Sequence, residues 1–381
     1  MEIIKPRILF ILHLPPPIHG AAMVGKYIHD SKLVNEAFDC RFENMALAQK
    51  LEDIGHSGVK KLFNFISQLH EFGKAIKEFS PELVYITPNA CGKAFYKDYF
   101  IVQYVKRCLK KYSPKSQIVI HYHNKGVSTR QDNFFDNWLY KSFFKRLRVI
   151  LLADILYDDI KKYVSKNNVY VCPNGIPESL QLKQKTQLRN EVPNILFLSN
   201  LIISKGVFVL LDALKILKDN QYKFVCKIVG GETDEISKTK LITEICNRNL
   251  DGSVLYAGRK TGAEKNEFFA NADIFAFPTF YANECFPLVC LEAMEYQLPI
   301  VSTNEGGIPD IVVNGHNGLI CERQKPQSLA LSLIKLLDDS NLRLKMGECG
   351  YQRFKSEFTL EVFEKRFVDI INQILANKNN V

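Results

Sequence analysis

The sequence predicts an α/β protein with two domains, each built on a doubly wound parallel sheet. Its 381 residues are enough for two domains of ordinary size, and a hydrophobic content of 46% can fill two cores. An apolar strand, a loop with glycine and a helix open the chain, which is how doubly wound domains begin. A second apolar strand at residues 194–199 (NILFLS) starts the pattern again after a polar linker at 178–192.

The first domain begins at residues 7–12 (RILFIL), a short apolar run typical of a buried strand. Gly20 stands in a loop just before a helix predicted over 21–30. A glycine there lets the backbone approach a ligand closely, whereas a plain proline-rich turn with a glycine helix entry is the structural alternative. The other elements predicted for this domain are helices at 60–79, 96–111 and 134–149 and strands at 83–87, 117–123, 149–156 and 169–173.

Two histidines, His121 and His123, end the strand predicted over 117–123 (QIVIHYH). Ligands of open α/β sheets gather at the carboxyl ends of strands, and alternation directs both histidines to the same side of the strand. We therefore expect one of them to face a ligand and the other to be a core or supporting group. For a lone histidine the structural interpretation usually applies.

Basic residues are concentrated in the first half of the chain. Lys and Arg outnumber Asp and Glu by 26 to 17 over residues 1–180, whereas residues 181–381 hold 24 of each. Residues 134–149 (FFDNWLYKSFFKRLRV) are typical of a basic-aromatic helix that lies on an anionic membrane surface. The alternative is that the aromatic side chains are core and the basic ones a solvated face. No nucleic-acid motif is present, so no nucleic-acid partner is expected.

Other features of composition point to a cytoplasmic chain that could also lie peripherally on the inner face of the cell membrane. We find no apolar run of membrane-spanning length and no signal peptide. The ten cysteines lack C-x-x-C pairs, which favours reduced thiols over disulfides or zinc sites. We expect Asp158 and Asp159 to be helix-dipole partners in the first turn of a helix, not metal ligands.

The stretch from 277 to 310 contains most of the candidate ligand-binding residues. A strand at 273–277, a helix over 286–297 with Pro287 at its first position and a strand at 299–302 are predicted there. The start of such a helix leaves backbone N–H groups free to bind an anion, phosphate above all. The segment that would surround the phosphate groups comprises Cys285, Phe286, Pro287, Leu288 and Val289.

Two carboxylates, Glu284 and Glu292, frame this helix start. Carboxylates repel phosphate, so they make sense here only if each accepts hydrogen bonds from sugar hydroxyls on either side of a diphosphate. A nucleotide-sugar has that layout of ribose, diphosphate and hexose. The alternative is an ordinary helix with two solvated acids.

Glu284-x7-Glu292, followed by AMEYQLPIVSTNEGGIPDIV, resembles the C-terminal domain of retaining glycosyltransferases of family 4. The resemblance extends weakly over the whole chain and implies the GT-B fold, with two Rossmann-like domains facing across a cleft. It also implies domains at 1–185 (acceptor-binding) and 190–358 (donor-binding). A terminal helix at 359–381 would cross back to the first domain.

The resemblance carries over to further positions. His123-Asn-Lys-Gly resembles the family's strand-end histidine that faces the sugar, so we prefer His123 to His121. Lys205-Gly206 resembles the family's phosphate-binding loop, although Asn200 stands where the family has arginine. Gly258 and Arg259 occupy the place where relatives contact the base; Arg259 would stack on the base or be a surface arginine.

What the resemblance implies for chemistry is a metal-independent transfer with front-face attack and no cofactor. Lys205 and the free N–H groups of 286–289 would hold the leaving diphosphate, assisted by Asn200 and Gly20. Glu284 would bind hexose hydroxyls, and Glu292 would bind ribose hydroxyls. His123 would contact the sugar or the acceptor.

The expected function is transfer of a hexose or N-acetylhexosamine from a nucleotide-sugar to a lipid-linked or oligosaccharide acceptor. The donor would be a UDP-sugar, and the product would belong to capsule or O-antigen type surface polysaccharide. Two alternatives stay open. A GT-B epimerase would act on the nucleotide-sugar without an acceptor, and a non-catalytic nucleotide-sugar or membrane-binding module would explain the missing arginine at position 200.

Overall fold

The computed structural model describes residues 5–16, 19–45, 58–179 and 191–377, with the side chains of 58–61 excepted. The chain divides into two compact units, Met1–Asn174 with Leu360–Val381 and Gly175–Thr359. Each unit holds a sheet of six parallel strands. The prediction of two Rossmann-like α/β domains is confirmed.

Every strand of the first unit is parallel to its neighbours, in the order β2-β1-β3-β4-β5-β6. Its core strands are apolar along their length because helices cover both faces of a parallel sheet. The strands are β1 (Arg7–Leu12), β2 (Asp39–Asn44), β3 (Leu83–Ile86), β4 (Gln117–His121), β5 (Arg148–Leu151) and β6 (Val169–Val171). The helices are α1 (Gly20–Asp30), α2 (Lys32–Ala37), α3 (Gly58–Phe79), α4 (Gly92–Tyr112), α5 (Phe134–Phe144) and, from the end of the chain, α13 (Leu360–Ala376).

The basic-aromatic helix is shorter than predicted, because α5 ends at Phe144 and residues 145–147 lead directly into β5. Arg146 has a φ of 57°, a left-handed conformation that stops a helix. Lys106 from α4 donates to the carbonyl oxygens of Phe143 (2.6 Å) and Lys145 (2.9 Å) and so satisfies groups that the helix end leaves free. The strand predicted over 149–156 is correspondingly shorter and earlier.

The prediction that Asp158 and Asp159 lie in the first turn of a helix was wrong. Asp154–Asp159 forms a 3-10 helix, and the two acids lie at its end. Asp159 accepts hydrogen bonds from the backbone N–H groups of Gly126 (2.9 Å), Val127 (3.1 Å) and Ser128 (2.9 Å). Its carboxylate therefore holds the loop that follows β4.

Helix α13 packs within the first unit. Phe367 contacts the ring of Tyr85 with centroids 5.4 Å apart and the ring of Phe10 at 6.4 Å. Arg148, at the start of β5, donates to the carbonyl oxygen of Asn377 just beyond the helix. Residues 360–377 thus share the core of β1 and β3, strands far away in sequence.

The second unit has the strand order β12-β11-β10-β7-β8-β9. The chain runs outward from β7 through β8 to β9 and then crosses to β10 on the other side of β7, which makes the β7–β10 boundary the topological switch point. Its strands are β7 (Asn194–Leu198), β8 (Val225–Val229), β9 (Val254–Tyr256), β10 (Ile274–Phe277), β11 (Ile300–Thr303) and β12 (Gly318–Cys321). Its helices are α6 (Val207–Asp219), α7 (Lys238–Asn247), α8 (Gly262–Ala270), α9 (Leu288–Glu295), α10 (Ile308–Ile311), α11 (Pro326–Asp338) and α12 (Ser340–Glu357).

Within the described ranges, no helix has both the length and the apolar character needed to cross a bilayer. All ten cysteines are free thiols.

Candidate functional site

The switch point of the second sheet brings together the loops that follow β7 and β10. Lys205 lies in the first loop and Glu284 in the second, 79 positions apart in sequence. Ligands of open parallel sheets bind outside the carboxyl ends of the strands at such a point. Two residues singled out from the sequence therefore meet where the fold favours a ligand.

Lys205 and Glu284 form an ion pair that is largely but not fully buried. The Lys205 Nζ lies 2.6 Å from the Glu284 Oε2, and only 7% of Glu284 is exposed. The ammonium also lies over the ring of Tyr281, 4.4 Å from its centre, which adds a cation–π contact. Because an ammonium has three protons, Lys205 can bind Glu284 and still donate to a ligand.

Two backbone constraints hold these two loops together. Gly206 has a φ of 89°, and a Cβ there would lie 2.1 Å from the carbonyl oxygen of Pro278, so only glycine fits. The N–H of Phe280 donates to the carbonyl oxygen of Ser204 at 2.8 Å. The position of Lys205 is therefore set by its own loop and by the loop that carries Glu284.

The Gly-Gly loop after β11 closes another side of Glu284. Gly306 has a φ of 56°, and a Cβ there would lie 2.2 Å from the Glu284 carbonyl oxygen. The N–H of Gly307 donates to the carbonyl oxygen of Cys285 at 2.7 Å. Fully buried Thr279 contributes its Oγ1 at 3.5 Å from the Glu284 Oε2. Thr279 was not among the residues predicted.

The helix that follows Glu284 and contains Glu292 begins later and ends earlier than expected. It was predicted over 286–297, and α9 spans Leu288–Glu295. Pro287 has a ψ of 118°, which is extended backbone, and serves as the cap instead of the first helical residue. At the other end, Gln297 has a φ of 55°, outside the helical region. Glu284 therefore belongs to the loop, four residues before the helix.

This shift changes the set of predicted phosphate donors. Phe286 now lies two residues before the helix, and its buried ring packs in the core against Phe358 with centroids 5.8 Å apart. The N–H of Cys290 is already bonded to the carbonyl oxygen of Pro287 at 3.1 Å. The backbone donors at the start of the helix are those of Leu288 and Val289.

Glu292 lies on α9 and pairs with a lysine that sequence reasoning missed. Its Oε1 lies 2.6 Å from the Nζ of Lys265, on α8. Its Oε2 is buried without a hydrogen-bond partner among the described residues. A buried carboxylate oxygen without a donor is costly unless something supplies one, and a hydroxyl group would do so.

The remaining predicted donor residues lie at the ends of β7, β8 and β9. The N–H of Gly230 donates to the carbonyl oxygen of Gly258 at 2.9 Å. A Cβ on Gly231 would lie 3.5 Å from the Asn200 Oδ1 and 3.6 Å from the Arg259 Cδ. Asn200 and Arg259 are both exposed and converge over this glycine. The two side chains therefore form one polar rim at the carboxyl edge of the sheet.

A further titratable group supports α9 from behind. Glu295 is 3% exposed, and burial raises its pKa from 4.5 to about 7, while a hydrogen bond from the N–H of Ser179 opposes the rise. The hydroxyls of Tyr296 and Ser179 lie 3.1 Å apart. These contacts tie the start of the second unit to the helix that carries Glu292.

In the first unit, His121 and His123 lie side by side with ring centroids 4.4 Å apart. His121 is fully buried, and its Nδ1 is 2.7 Å from the Tyr85 hydroxyl, so it is a core group. Neither ring nitrogen of His123 has a hydrogen-bond partner among the described residues. Burial, and then the charges of His13 and His19, lower the His123 pKa from 6.5 to about 3, which keeps its imidazole neutral.

His13 and His19, on the loop after β1, complete a histidine cluster that was not predicted. Their ring centroids are 5.8 Å apart, and the His13 Nδ1 lies 3.3 Å from the Thr87 Oγ1. The His19 side chain caps α1 by accepting from the Ala22 N–H at 3.3 Å. Gly20, next to it, is exposed and has open space over its Cα. The sequence feature that could have indicated this cluster is the pair of histidines on either side of the proline-rich loop.

Residues 178–353 match the sequence model of a family described as glycosyl transferases group 1. The match lies within the second unit and covers the loops that carry Lys205 and Glu284 and the helix that carries Glu292. It supports a glycosyltransferase as the class of this protein.

Among curated relatives, the chain is similar to the capsular polysaccharide biosynthesis glycosyltransferase CapM of Staphylococcus aureus. The two are 28% identical over 181 residues, which is 47% of this chain and 46% of CapM. The alignments to the first relatives found cover about half of this chain and about half the length of each relative.

Solved structures show the same fold over nearly the whole chain. Sucrose-phosphate synthase from Thermosynechococcus elongatus aligns with a TM-score of 0.74 and 17% identity, over 98% of this chain and 99% of that one. HepE from Anabaena, solved in complex with UDP, aligns with a TM-score of 0.73 and 16% identity, over 96% and 100%. The fold is GT-B.

Proposed function

We propose that the protein is a retaining glycosyltransferase of family 4 that uses a nucleotide-sugar, specifically a UDP-sugar. The transferred group would be a hexose or an N-acetylhexosamine. The acceptor would be a lipid-linked or oligosaccharide intermediate of a surface polysaccharide. The observation that carries the proposal is the largely buried Lys205–Glu284 pair at the switch point, inside the segment that matches group 1 glycosyl transferases. The UDP complex of HepE and the capsular role in the name of CapM support the donor and the product class.

In this proposal the leaving diphosphate is bound by Lys205 and by the N–H groups of Leu288 and Val289. Breaking the bond between the anomeric carbon and the phosphate oxygen builds negative charge on the diphosphate, and pre-oriented donors stabilise that charge. Asn200 adds a hydrogen bond but no charge, so Lys205 supplies the positive charge of this loop. We propose that no metal ion takes part.

The two glutamates would bind hydroxyl groups on the two sides of the diphosphate. Glu284 would accept from the hexose, and Glu292, through its unpartnered Oε2, would accept from the ribose. Arg259 and Gly258 at the polar rim would contact the base. Glu284 and Glu292 act only as hydrogen-bond acceptors in this proposal, and neither is a covalent nucleophile.

For the first unit we propose contact with the acceptor through His123, whose low pKa makes it a neutral hydrogen-bonding group at physiological pH. Retention would follow from front-face attack, in which the acceptor hydroxyl gives its proton to the leaving phosphate oxygen. Gly20 would leave room for the approach of a ligand.

We also propose that the first unit contacts an anionic membrane surface. Large apolar side chains are exposed on three packed helices, α3, α4 and α5. The most exposed is Phe134 at 88%, and Trp138 on the same helix is 57% exposed. Aromatic side chains beside lysines are typical of proteins that lie on anionic lipid. A lipid-linked acceptor would be reached at such a surface.

The test is a transfer assay with UDP-, GDP- and ADP-sugars and an extract of lipid-linked acceptors, on the native chain and on Glu284→Gln. We expect acceptor-dependent product with one donor and a loss of at least about 100-fold in Glu284→Gln. Exposed Glu322→Gln is the matched control and should keep normal turnover. EDTA should leave the rate unchanged, and NMR of the product should show the anomeric configuration of the donor. Normal turnover in Glu284→Gln, or product formed without any acceptor, would refute the proposal.

A further inference from the structure

A large basic pocket lies in the first unit, at the amino ends of β4 and β5. Its volume is about 950 Å³, and Gln117 and Arg148, the first residues of these strands, line it. All strands of this sheet are parallel, so the amino ends lie at the edge opposite to the one that carries His123. The pocket is therefore separate from the groups assigned above to the acceptor.

The charge of the pocket is entirely positive. Among the described residues, six cationic side chains line it and no carboxylate does. They are Lys106, Lys110, Lys115, Lys145, Arg146 and Arg148. Within the described part of the chain, none of the six forms an ion pair with an acidic residue, whereas many other exposed lysines do, such as Lys26 and Lys161. Six like charges around one cavity repel each other, and a bound anion would relieve that repulsion.

Two of the six cations are held by the fold. Lys106 donates to the carbonyl oxygens at the end of α5, at 2.6 Å for Phe143. Its pKa is lowered to about 8, by burial and then by the charge of Lys145. Arg148 is 3% exposed and donates to the carbonyl oxygen of Asn377. These two cations therefore have a structural role in addition to lining the pocket.

The other four cations are exposed, and their side chains make no hydrogen bond to another described residue. Lys110 and Lys115 come from the end of α4 and the turn after it, and Lys145 and Arg146 come from the turn after α5. The C-terminal ends of helices carry partial negative charge, which explains why cations collect after α4 and α5, but it does not explain a cavity between them.

A neutral group in the pocket also lacks partners. Both amide atoms of the Gln117 side chain, Oε1 and Nε2, are buried without a hydrogen-bond partner among the described residues. A buried amide with neither donor nor acceptor satisfied costs free energy, and a ligand oxygen that accepts from Nε2 would recover part of it. A leucine at this place would be the simpler choice for stability alone.

We propose that this pocket is an anion site that binds a phosphorylated ligand carrying at least two phosphate charges. Lys110, Lys115, Lys145 and Arg146 supply the charge, and the Gln117 amide donates to a phosphate oxygen. The same phosphate chemistry is offered by a soluble diphosphate and by the headgroup of an anionic phospholipid. The site is independent of the donor chemistry proposed for the second unit.

The test uses calorimetric titration of the full chain with inorganic pyrophosphate, and sedimentation with vesicles that contain cardiolipin, a phospholipid with two phosphate groups. The pocket variants are Lys145→Gln with Arg146→Gln, and separately Gln117→Leu. The matched control is Lys32→Gln with Lys93→Gln, which removes the same charge from exposed positions of the first unit that do not line the pocket. A loss of pyrophosphate binding in Lys205→Met would show how much pyrophosphate binds in the second unit.

We expect the double pocket variant to weaken binding about tenfold or more, the value of one charge-assisted hydrogen bond, and the control to keep normal affinity. Gln117→Leu should also weaken binding while the protein becomes equally or more resistant to urea, which a purely structural glutamine would not do. Sensitivity to the pocket variants in the pyrophosphate titration identifies a soluble ligand. If the pocket variants weaken only the sedimentation with vesicles, the ligand is a phospholipid headgroup.

The proposal is overturned if neither probe binds, or if the control weakens binding as much as the pocket variants do. It is equally overturned if only Lys205→Met abolishes pyrophosphate binding and the pocket variants leave vesicle sedimentation unchanged. Failure of sugar transfer would not bear on any of these readouts, because none of them requires a donor.

Discussion

Replacing Lys205 by methionine removes the cation from Glu284 and keeps the length of the side chain. At a separation of 2.6 Å the pair attracts by about 6 kcal/mol for an effective dielectric constant of 20. Desolvation of both charges offsets part of this attraction, and removal of one partner from a buried pair costs about 3–5 kcal/mol. Because 16% of the Lys205 side chain is exposed, water can reach the site, and we expect the lower end, about 3 kcal/mol.

A double-mutant cycle tests this magnitude. Lys205→Met, Glu284→Gln and the double variant are compared by hydrogen exchange of the β7 and β10 amides, which reports the free energy of opening the second unit. We expect Lys205→Met to lose about 3 kcal/mol and the double variant to recover most of it, because the neutral amide introduced by Glu284→Gln no longer needs a cation. Amides of β1, in the first unit, serve as the internal control.

The reasoning is refuted if the two single changes simply add. Additivity would mean that Lys205 and Glu284 do not depend on each other, despite their contact. A further consequence separates folding from binding: the double variant should be nearly as stable as the native chain and still fail to bind a nucleotide-sugar. Recovery of both stability and binding would remove Lys205 from the donor site.

Three further predictions rest on single contacts or surfaces. Glu295→Gln should change the pH dependence of stability. Because the Glu295 pKa is raised to about 7, the native carboxyl favours folding below pH 4.5 and loses this contribution as the pH rises through 7. The free energy of unfolding of the variant, relative to that of the native chain, should therefore be about 3 kcal/mol higher at pH 8 than at pH 4, measured by urea midpoints. Gly206→Ala should cost about 3 kcal/mol because the new Cβ meets the Pro278 carbonyl oxygen, whereas Gly258→Ala, at a φ of 72° with open space, should cost only about 1 kcal/mol; equal losses in thermal melts would contradict this. Changing Phe134 and Trp138 together to serine should abolish salt-sensitive sedimentation with anionic vesicles, while Leu331→Ser, similarly exposed on the second unit, should not; unchanged sedimentation would exclude α5 from the membrane surface.

Periodicity and apolar runs were sufficient to predict the two parallel sheets, because buried parallel strands are apolar on both faces and differ clearly from the helices between them. The strands at 7–12 and 194–199 are the clearest cases. Boundaries were less accurate where a distant residue decides them. The end of α5 depends on Lys106, a side chain of another helix that satisfies its last carbonyl groups. No pattern within residues 134–149 contains that information.

The same limit explains which site residues were missed. Lys265 was not singled out because its importance comes from its contact with Glu292, 27 positions away in sequence. His13 and His19 were passed over because a proline-rich loop gives no periodicity from which to infer where its side chains point. Asp159 was assigned to a helix start on the basis of its neighbours, although the groups it binds lie more than 30 positions earlier. Pairings between distant loops require the fold to be known first.

The spacing between Glu284 and Glu292 is set by more than helical geometry. The helix was predicted to begin at residue 286, two positions after Glu284. Because α9 begins only at Leu288, helical geometry does not determine where Glu284 lies. Its position depends instead on Gly306, whose missing Cβ lets the loop after β11 approach the Glu284 carbonyl oxygen, and on Lys205. The eight-residue interval is therefore a property of two loops and one helix together. A substitution at Gly306 should then displace Glu284 as effectively as a change in the helix itself.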